Sequence, residues 1–345
     1  MDFPEIKQYV RENWMRVSVI AGIALIGISL VVTGIVYVVH SRNVNRAPVA
    51  NVNAPGLPHA QNYQDLFAVS IDNHVDARPT TGLASAAIVM ELPVEGGITR
   101  FLALYERAAH VEKIGPVRSA RPYFLDWTLG FGPALFVHFG GSPDSLTRIA
   151  STPALREVDV DGMADGVTFW RDESRDAPHN AYTSTEKVGN VFAARALTDR
   201  EVPGYLVAGD PALEDRGTTE SISIPYSTLS YTPVWQYDRE RNTYARTVKG
   251  APAKDESGEQ LESKNVIVLE TKVDTIDDVG RKKIATTGVG SATVFHDGKK
   301  MDATWRRPNN DTMPRFYGVD GTEIPLTEGN IWIEVVPKEI NAEVK

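Results

Sequence analysis

The hydrophobic positions of this chain fall into three textures. Residues 17–39, VSVIAGIALIGISLVVTGIVYVV, contain no charged side chain. At about 1.5 Å of rise per residue, a helix of this length crosses the roughly 30 Å hydrocarbon core of a bilayer, so the run predicts a transmembrane helix. Residues 40–62, HSRNVNRAPVANVNAPGLPHAQN, are rich in Asn, Ala and Pro and show no apolar period, as expected of a flexible stalk. Beyond residue 63, apolar runs alternate with turn-forming stretches. LFAVSID at 66–72, IVMELPV at 88–94, TRFLALYE at 99–106 and ALFVHF at 134–139 predict strands, with helical stretches between and after them.

From about residue 220 hairpin signals take over: YTPVWQYD and TYARTV around a charged turn, KNVIVLE, a hairpin at Asp297-Gly298, a turn at Asp320-Gly321 and the closing NIWIEVVP. Three helix starts are marked: Ser119, Ser142-Pro143-Asp144, and Thr183 with Glu186 as a capping box. The expected class is α+β: an N-terminal transmembrane helix, a mixed α/β domain, then a mainly antiparallel β domain. The expected divisions are a cytoplasmic N-terminus at 1–16, the membrane helix at 17–39, a stalk at 40–62, and separable domains at 63–210 and 220–340.

Charge and composition sharpen this picture. The net charge of -9 lies wholly beyond residue 41, because Lys7, Arg11 and Arg16 cancel Asp2, Glu5 and Glu12. That argues against general nucleic-acid binding and against adhesion to anionic lipid. The absence of cysteine excludes disulfides, thiolate metal sites, a cysteine nucleophile and lipid attachment through cysteine. The apolar run passes into His40-Ser41-Arg42 with no small-residue cleavage pattern, so it reads as an uncleaved single-pass anchor. Basic residues flank it three to two, favouring a cytoplasmic N-terminus and an extracytoplasmic remainder at the cell membrane.

The stretch KIGPVRSARPYF at 113–124 carries the main candidate chemistry. If Ser119 caps a helix, the free N–H groups of its first turn lie beside the guanidinium forks of Arg118 and Arg121, which suit carboxylate or phosphate oxygens. The other reading pairs both arginines with the chain's own acids, Asp72, Glu91 or Glu95. VHFGGSPDSL repeats the arrangement, with His138, Gly140 and Gly141 leading to the helix start at Ser142. Glu91 and Glu95 could act as an acid/base pair or as anchors for Arg100, Arg118 and Arg121. Asn73, Arg78, His179 and Asn180 complete the candidate ligand-binding set.

His74, His138 and His179 lack tight ligand spacing, so no metal and no cofactor is expected. DVDGMADG at 159–166 departs from a calcium loop at Met163, Ala164 and Trp170. No nucleophile elbow, Walker loop or dinucleotide fingerprint is present in the sequence. Trp235, Trp305 and Trp332 read as core rather than as a carbohydrate surface.

The stretches VSIDNHVDARPTTGL, VEGGITRFLALYE, IGPVRSARPYFLD, VHFGGSPDSL and HNAYTS, with WQYDRERNTYART, SKNVIVLE and GNIWIEVVP, resemble the YerB-like bacterial lipoprotein family. The resemblance covers nearly everything beyond residue 63 and implies two consecutive domains of unknown function. Members are commonly tethered by a lipidated cysteine; here the membrane helix stands in its place. The family's acidic residue ahead of Ala86-Ala87-Ile88 is missing, which tells against a family-wide catalytic role at that position in this chain.

These features predict a membrane-anchored extracytoplasmic protein, a binding module rather than an enzyme, for an anionic cell-envelope ligand bearing phosphate or carboxylate or for a protein partner. Two other readings stand beside it. One is an enzyme on phosphate-linked envelope precursors, by loose analogy of architecture with LytR-CpsA-Psr proteins. The other is a scaffold whose arginines hold the fold together.

Overall fold

The computed structural model describes Arg11, residues 58–132 and residues 134–345. The expected membrane helix at 17–39 lies outside the described residues. Among those described, no helix is long and apolar enough to cross a membrane.

The centre of residues 58–345 is one sheet of ten strands. In chain order they are β1 (Leu66–Asp72), β2 (Ile88–Pro93), β3 (Thr99–Glu106), β4 (Leu135–His138), β5 (Asp159–Asp161), β6 (Asn265–Thr271), β7 (Gly288–His296), β8 (Lys299–Arg307), β9 (Arg315–Tyr317) and β10 (Ile331–Pro337). Across the sheet they run β9-β8-β7-β6-β10-β2-β3-β1-β4-β5. A second sheet is built around the hairpin Pro233–Asp238 and Thr243–Val248.

This corrects the expected α+β division into a mixed α/β domain and an antiparallel β domain. The described chain is mostly β, and both expected segments supply strands to the same sheet. The joint is the closing run IWIEVVP, which pairs in parallel with β6 on one side and with β2 on the other. Every residue of β10 except its last is buried. A strand covered on both faces reads as an almost continuous apolar run, and such runs belong at the middle of sheets rather than at the end of a meander.

Alternation sends successive side chains to opposite faces. Ile88, Met90 and Leu92 join the core that contains Phe124 and Trp127, while Val89, Phe101, Tyr105 and Trp332 join the one that contains Phe192, Trp235 and Tyr244. The first core is covered by helix α1 (Pro122–Gly130), the second by α4 (Thr185–Ala194) and by the second sheet. Two further helices are short, α2 (Pro143–Ser151) and α3 (Pro153–Val158). Trp235, Trp305 and Trp332 are all core residues.

Helix starts differ in detail from expectation. Ser142 caps α2 by accepting from the Ser145 N–H. Ser119 caps nothing: α1 begins at Pro122 with Arg121 as its cap residue and no side-chain capping bond. Pro122 explains the shift, since its missing N–H and fixed φ suit the first helical position. Ser184, not Thr183, caps α4.

Candidate functional site

The ends of β1 and β4 leave a gap that residues 117–121 of KIGPVRSARPYF fill with extended backbone. The Arg118 N–H donates to Ser70 O at 2.7 Å, the Phe139 N–H donates to Arg118 O, and the Ser142 N–H donates to Ala120 O. The two glycine-bearing and arginine-bearing stretches thus meet, and Ala120 bridges Gly141 in parallel. Gly140 has φ +65°, a left-handed turn that lets its N–H reach Asp161 Oδ1 at 2.7 Å. His138 is fully buried beneath this turn, with its ring nitrogens against Gly140 O and Asp159 Oδ1. His138, Gly140, Gly141 and Ser142 therefore shape the backbone of the site.

Asp72, buried at the end of β1, organises the side chains. Its Oδ1 accepts the His74 N–H, and its Oδ2 lies 2.7 Å from His179 Nδ1 and 3.0 Å from Arg118 Nε. The Arg118 contact is an ion pair whose N–H is off-line for a hydrogen bond. Burial pushes the Asp72 carboxyl up, but Arg100, the His74 N–H, Arg118 and His179 together outweigh it and hold the carboxyl below its usual range. With Asp72 ionised, His179 donates through Nδ1, which leaves Nε2 as the open ring nitrogen. The side chain of Arg118 is 27% exposed. Neither of its terminal nitrogens has an acceptor among the described residues.

Arg121 and Arg100 are held differently. Arg121 grips Glu95 with both Nε and Nη2, at 2.7 and 2.9 Å. Arg100 is buried, donates through Nη1 to Ser119 O at 2.6 Å, and has no acceptor for its Nε. Burial and then the like charge of Arg121 push the Arg100 guanidinium down to about 10. Three guanidiniums share two carboxylates here, so the group is short of negative charge.

The remaining candidates lie elsewhere. Glu91, Asn73 and Arg78 form a second cluster: Asn73 Nδ2 donates to Glu91 Oε1 and Thr99 Oγ1, and Arg78 donates to Asn73 Oδ1 and Asn73 O. The sequence reading missed the partners of Glu91. Arg246 Nη2 donates to Glu91 Oε2 at 2.8 Å, and Glu334 stands beside Glu91 in the β2–β10 register. The signal was a charged residue inside each apolar run, Arg246 in TYARTV and Glu334 in IWIEVVP. Asn180 braces the 171–175 loop, accepting from Arg171 Nη1 and donating to Arg175 O.

Ligand atoms of His74, Asp76 and His179 lie within 4.8 Å of one another. The two imidazoles, however, are stacked with only 13° between their planes. Metal ligation uses lone pairs in the ring plane, and parallel rings do not aim these at one point. Asp161 spends Oδ1 on the N–H groups of Gly140 and Met163, as a polar turn does.

Comparison with known proteins gives two consecutive matches. Residues 55–198 match "Protein of unknown function (DUF3048) N-terminal domain", and residues 222–333 match "Protein of unknown function (DUF3048) C-terminal domain". The chain is 32% identical over 275 residues to the Bacillus subtilis (strain 168) protein named "Putative lipoprotein YerB", covering 78% of this chain and 80% of that protein. It is also similar to the crystal structure of Bacillus subtilis YerB, with a TM-score of 0.69 and 29% identity, covering 81% of this chain and 94% of that one.

Proposed function

This chain belongs to the DUF3048 family, and from that premise we propose that it is a membrane-associated extracytoplasmic protein that binds an anionic envelope ligand at the outward-facing fork of Arg118. The location rests on the likeness to a protein named as a lipoprotein. The ligand reading rests on one observation: Arg118 is oriented by Asp72 through Nε only, and its terminal nitrogens have no acceptor among the described residues. A guanidinium presented in this way donates to two oxygens of a phosphate or carboxylate in bidentate fashion. Arg100, Arg118 and Arg121 together outnumber Asp72 and Glu95 by one, and this surplus positive charge adds to the attraction.

Calorimetric titration of the full-length chain with pyrophosphate and N-acetylglucosamine 1-phosphate, against neutral N-acetylglucosamine, tests this. We expect saturable binding of the phosphates alone. Arg118→Gln should weaken it by about 1.5–3 kcal/mol, the range for hydrogen bonds to charged groups, and Arg118→Lys by less. Wild-type affinity in both variants would remove Arg118 from the site. The Asp72–His179 pair supports the second reading, an enzyme on phosphate-linked precursors, because an oriented imidazole with a free Nε2 can hold or release a proton. Release of inorganic phosphate by hydrolysis of either ligand during the same titrations, abolished in His179→Ala, would favour that reading over simple binding.

A further inference from the structure

A cleft of about 440 Å³ lies between the 73–80 loop and the turn that follows the second sheet's central hairpin. Its walls are apolar and include Val75, Pro79, Phe101, Val248 and Leu261. Four cationic side chains also line it, Arg78, Arg246, Lys249 and Lys254, and no carboxylate does. In a chain of net charge -9 this is a local reversal of sign.

Of these four cations, only Arg246 is ion-paired among the described residues. Arg78 spends Nε and Nη2 on the neutral oxygens of Asn73. Arg246 is 3% exposed, ties Nη2 to Glu91, and has no acceptor for its buried Nε. Among the described residues no carboxylate forms an ion pair with Arg78, Lys249 or Lys254. A buried donor without a partner, here Arg246 Nε, costs free energy, and a cleft that sets it beside three cations with no carboxylate partner over apolar walls suits a ligand able to satisfy both.

We infer that this cleft binds a small organic anion, a carboxylate or phosphate ester carrying an apolar body. Its charged end would meet the guanidiniums of Arg78 and Arg246, and its apolar body would lie against Phe101, Val248 and Leu261. The cleft shares the 73–80 loop and strand β3 with the Arg118 site through different side chains, and this inference does not depend on the reading of that site.

The probe is 4-(trifluoromethyl)benzoate, followed by the broadening of its ¹⁹F resonance on addition of the full-length chain. Phenyl phosphate provides the phosphate arm, and 4-(trifluoromethyl)benzamide and inorganic phosphate serve as controls. We expect the benzoate to bind, phenyl phosphate to compete, and both controls to be at least about tenfold weaker, because each lacks one of the two recognised features. Measured in the Arg118→Gln background, which removes anion binding at the other site, the exposed rim variant Lys249→Glu/Lys254→Glu, and separately Arg78→Gln, should weaken benzoate binding about tenfold. Binding of phenyl phosphate without the benzoate, or the reverse, assigns the anion class within the proposal. Absence of binding by either anion, equal binding of the amide, or unchanged affinity in the rim and Arg78 variants would overturn it.

Discussion

Chains cut between Asp215 and Arg216 are expected to yield no folded piece on either side, although the family descriptions divide the sequence close by. The reason is β10, the C-terminal strand that completes the N-terminal segment's half of the sheet. Its register with β2 runs from Ile331 opposite Ile88 to Glu334 opposite Glu91, and its register with β6 runs over seven residues. Removing it exposes the hydrogen-bonding edge of β2 together with the apolar faces that Ile331, Trp332, Ile333 and Val335 cover. Each such side chain is worth about 1.5–3 kcal/mol of burial. Four of them approach the whole net stability of a typical domain, about 5–15 kcal/mol.

The cut would sever a polar strut as well. Arg307, fully buried at the end of β8, donates to Asp126 O in α1 and to Thr286 O and Thr312 O, and stacks over Trp127. The expected result is that fragments 1–215 and 216–345, expressed separately, show no cooperative thermal transition by circular dichroism, whereas the uncut chain shows one. A soluble fragment 58–215 with a sharp transition would show that the shared sheet is not needed.

Most strands were legible because their periodicity is local. LFAVSID, TRFLALYE and KNVIVLE became β1, β3 and most of β6 almost residue for residue, and the Asp297-Gly298 turn joins β7 to β8 as its dipeptide predicts. What periodicity does not carry is which strand lies beside which. IWIEVVP reads as a strand in any fold, and only its unbroken burial, with a carboxylate in the middle, hints at a central position between two segments.

The arginine site was legible by residue type and not by role. Arg118, Arg121, Asp72 and Glu95 do come together, but Ser119 serves through its carbonyl and hydroxyl, and Pro122 sets the helix start. Arg246 and His179 lie far along the chain from the residues they serve, so spacing arguments could not join them.

The Glu91–Arg246–Glu334 cluster is expected to set both the stability of the fold and its pH dependence. Arg246 bonds Glu91 at 2.8 Å and lies against the rings of Phe101, Trp235 and Trp332. Arg246→Met therefore leaves Glu91 buried without its cation, at a cost of about 3–5 kcal/mol, and adding Glu91→Gln should recover much of it. Glu334 is the opposite case. Burial, and then the neighbouring Glu91, push its carboxyl up to about 8 against the ordinary 4.5. Its Oε1 accepts from Trp235 Nε1 at 2.8 Å and its Oε2 lies 2.9 Å from Tyr226 Oη, which also reaches Glu91 O. A protonated Glu334 satisfies all of these oxygens in sequence.

The sign follows from which state holds the proton. Between about pH 4.5 and 8 the folded chain keeps a proton on Glu334 that the unfolded chain releases, so folding becomes less favourable as pH rises through that window. Below it both states are protonated, and above it both are ionised, so the slope vanishes on either side. Within it the loss is on the order of 1 kcal/mol per pH unit. Glu334→Gln supplies a neutral group of the same size at every pH. Denaturant unfolding at pH 5, 6.5 and 8 should therefore show this variant close to wild type at pH 5 and more stable than wild type at pH 8. A wild-type stability that rises between pH 5 and 8, with a parallel rise in Glu334→Gln, would mean that the carboxyl is already ionised in the fold and that Arg246 serves both glutamates.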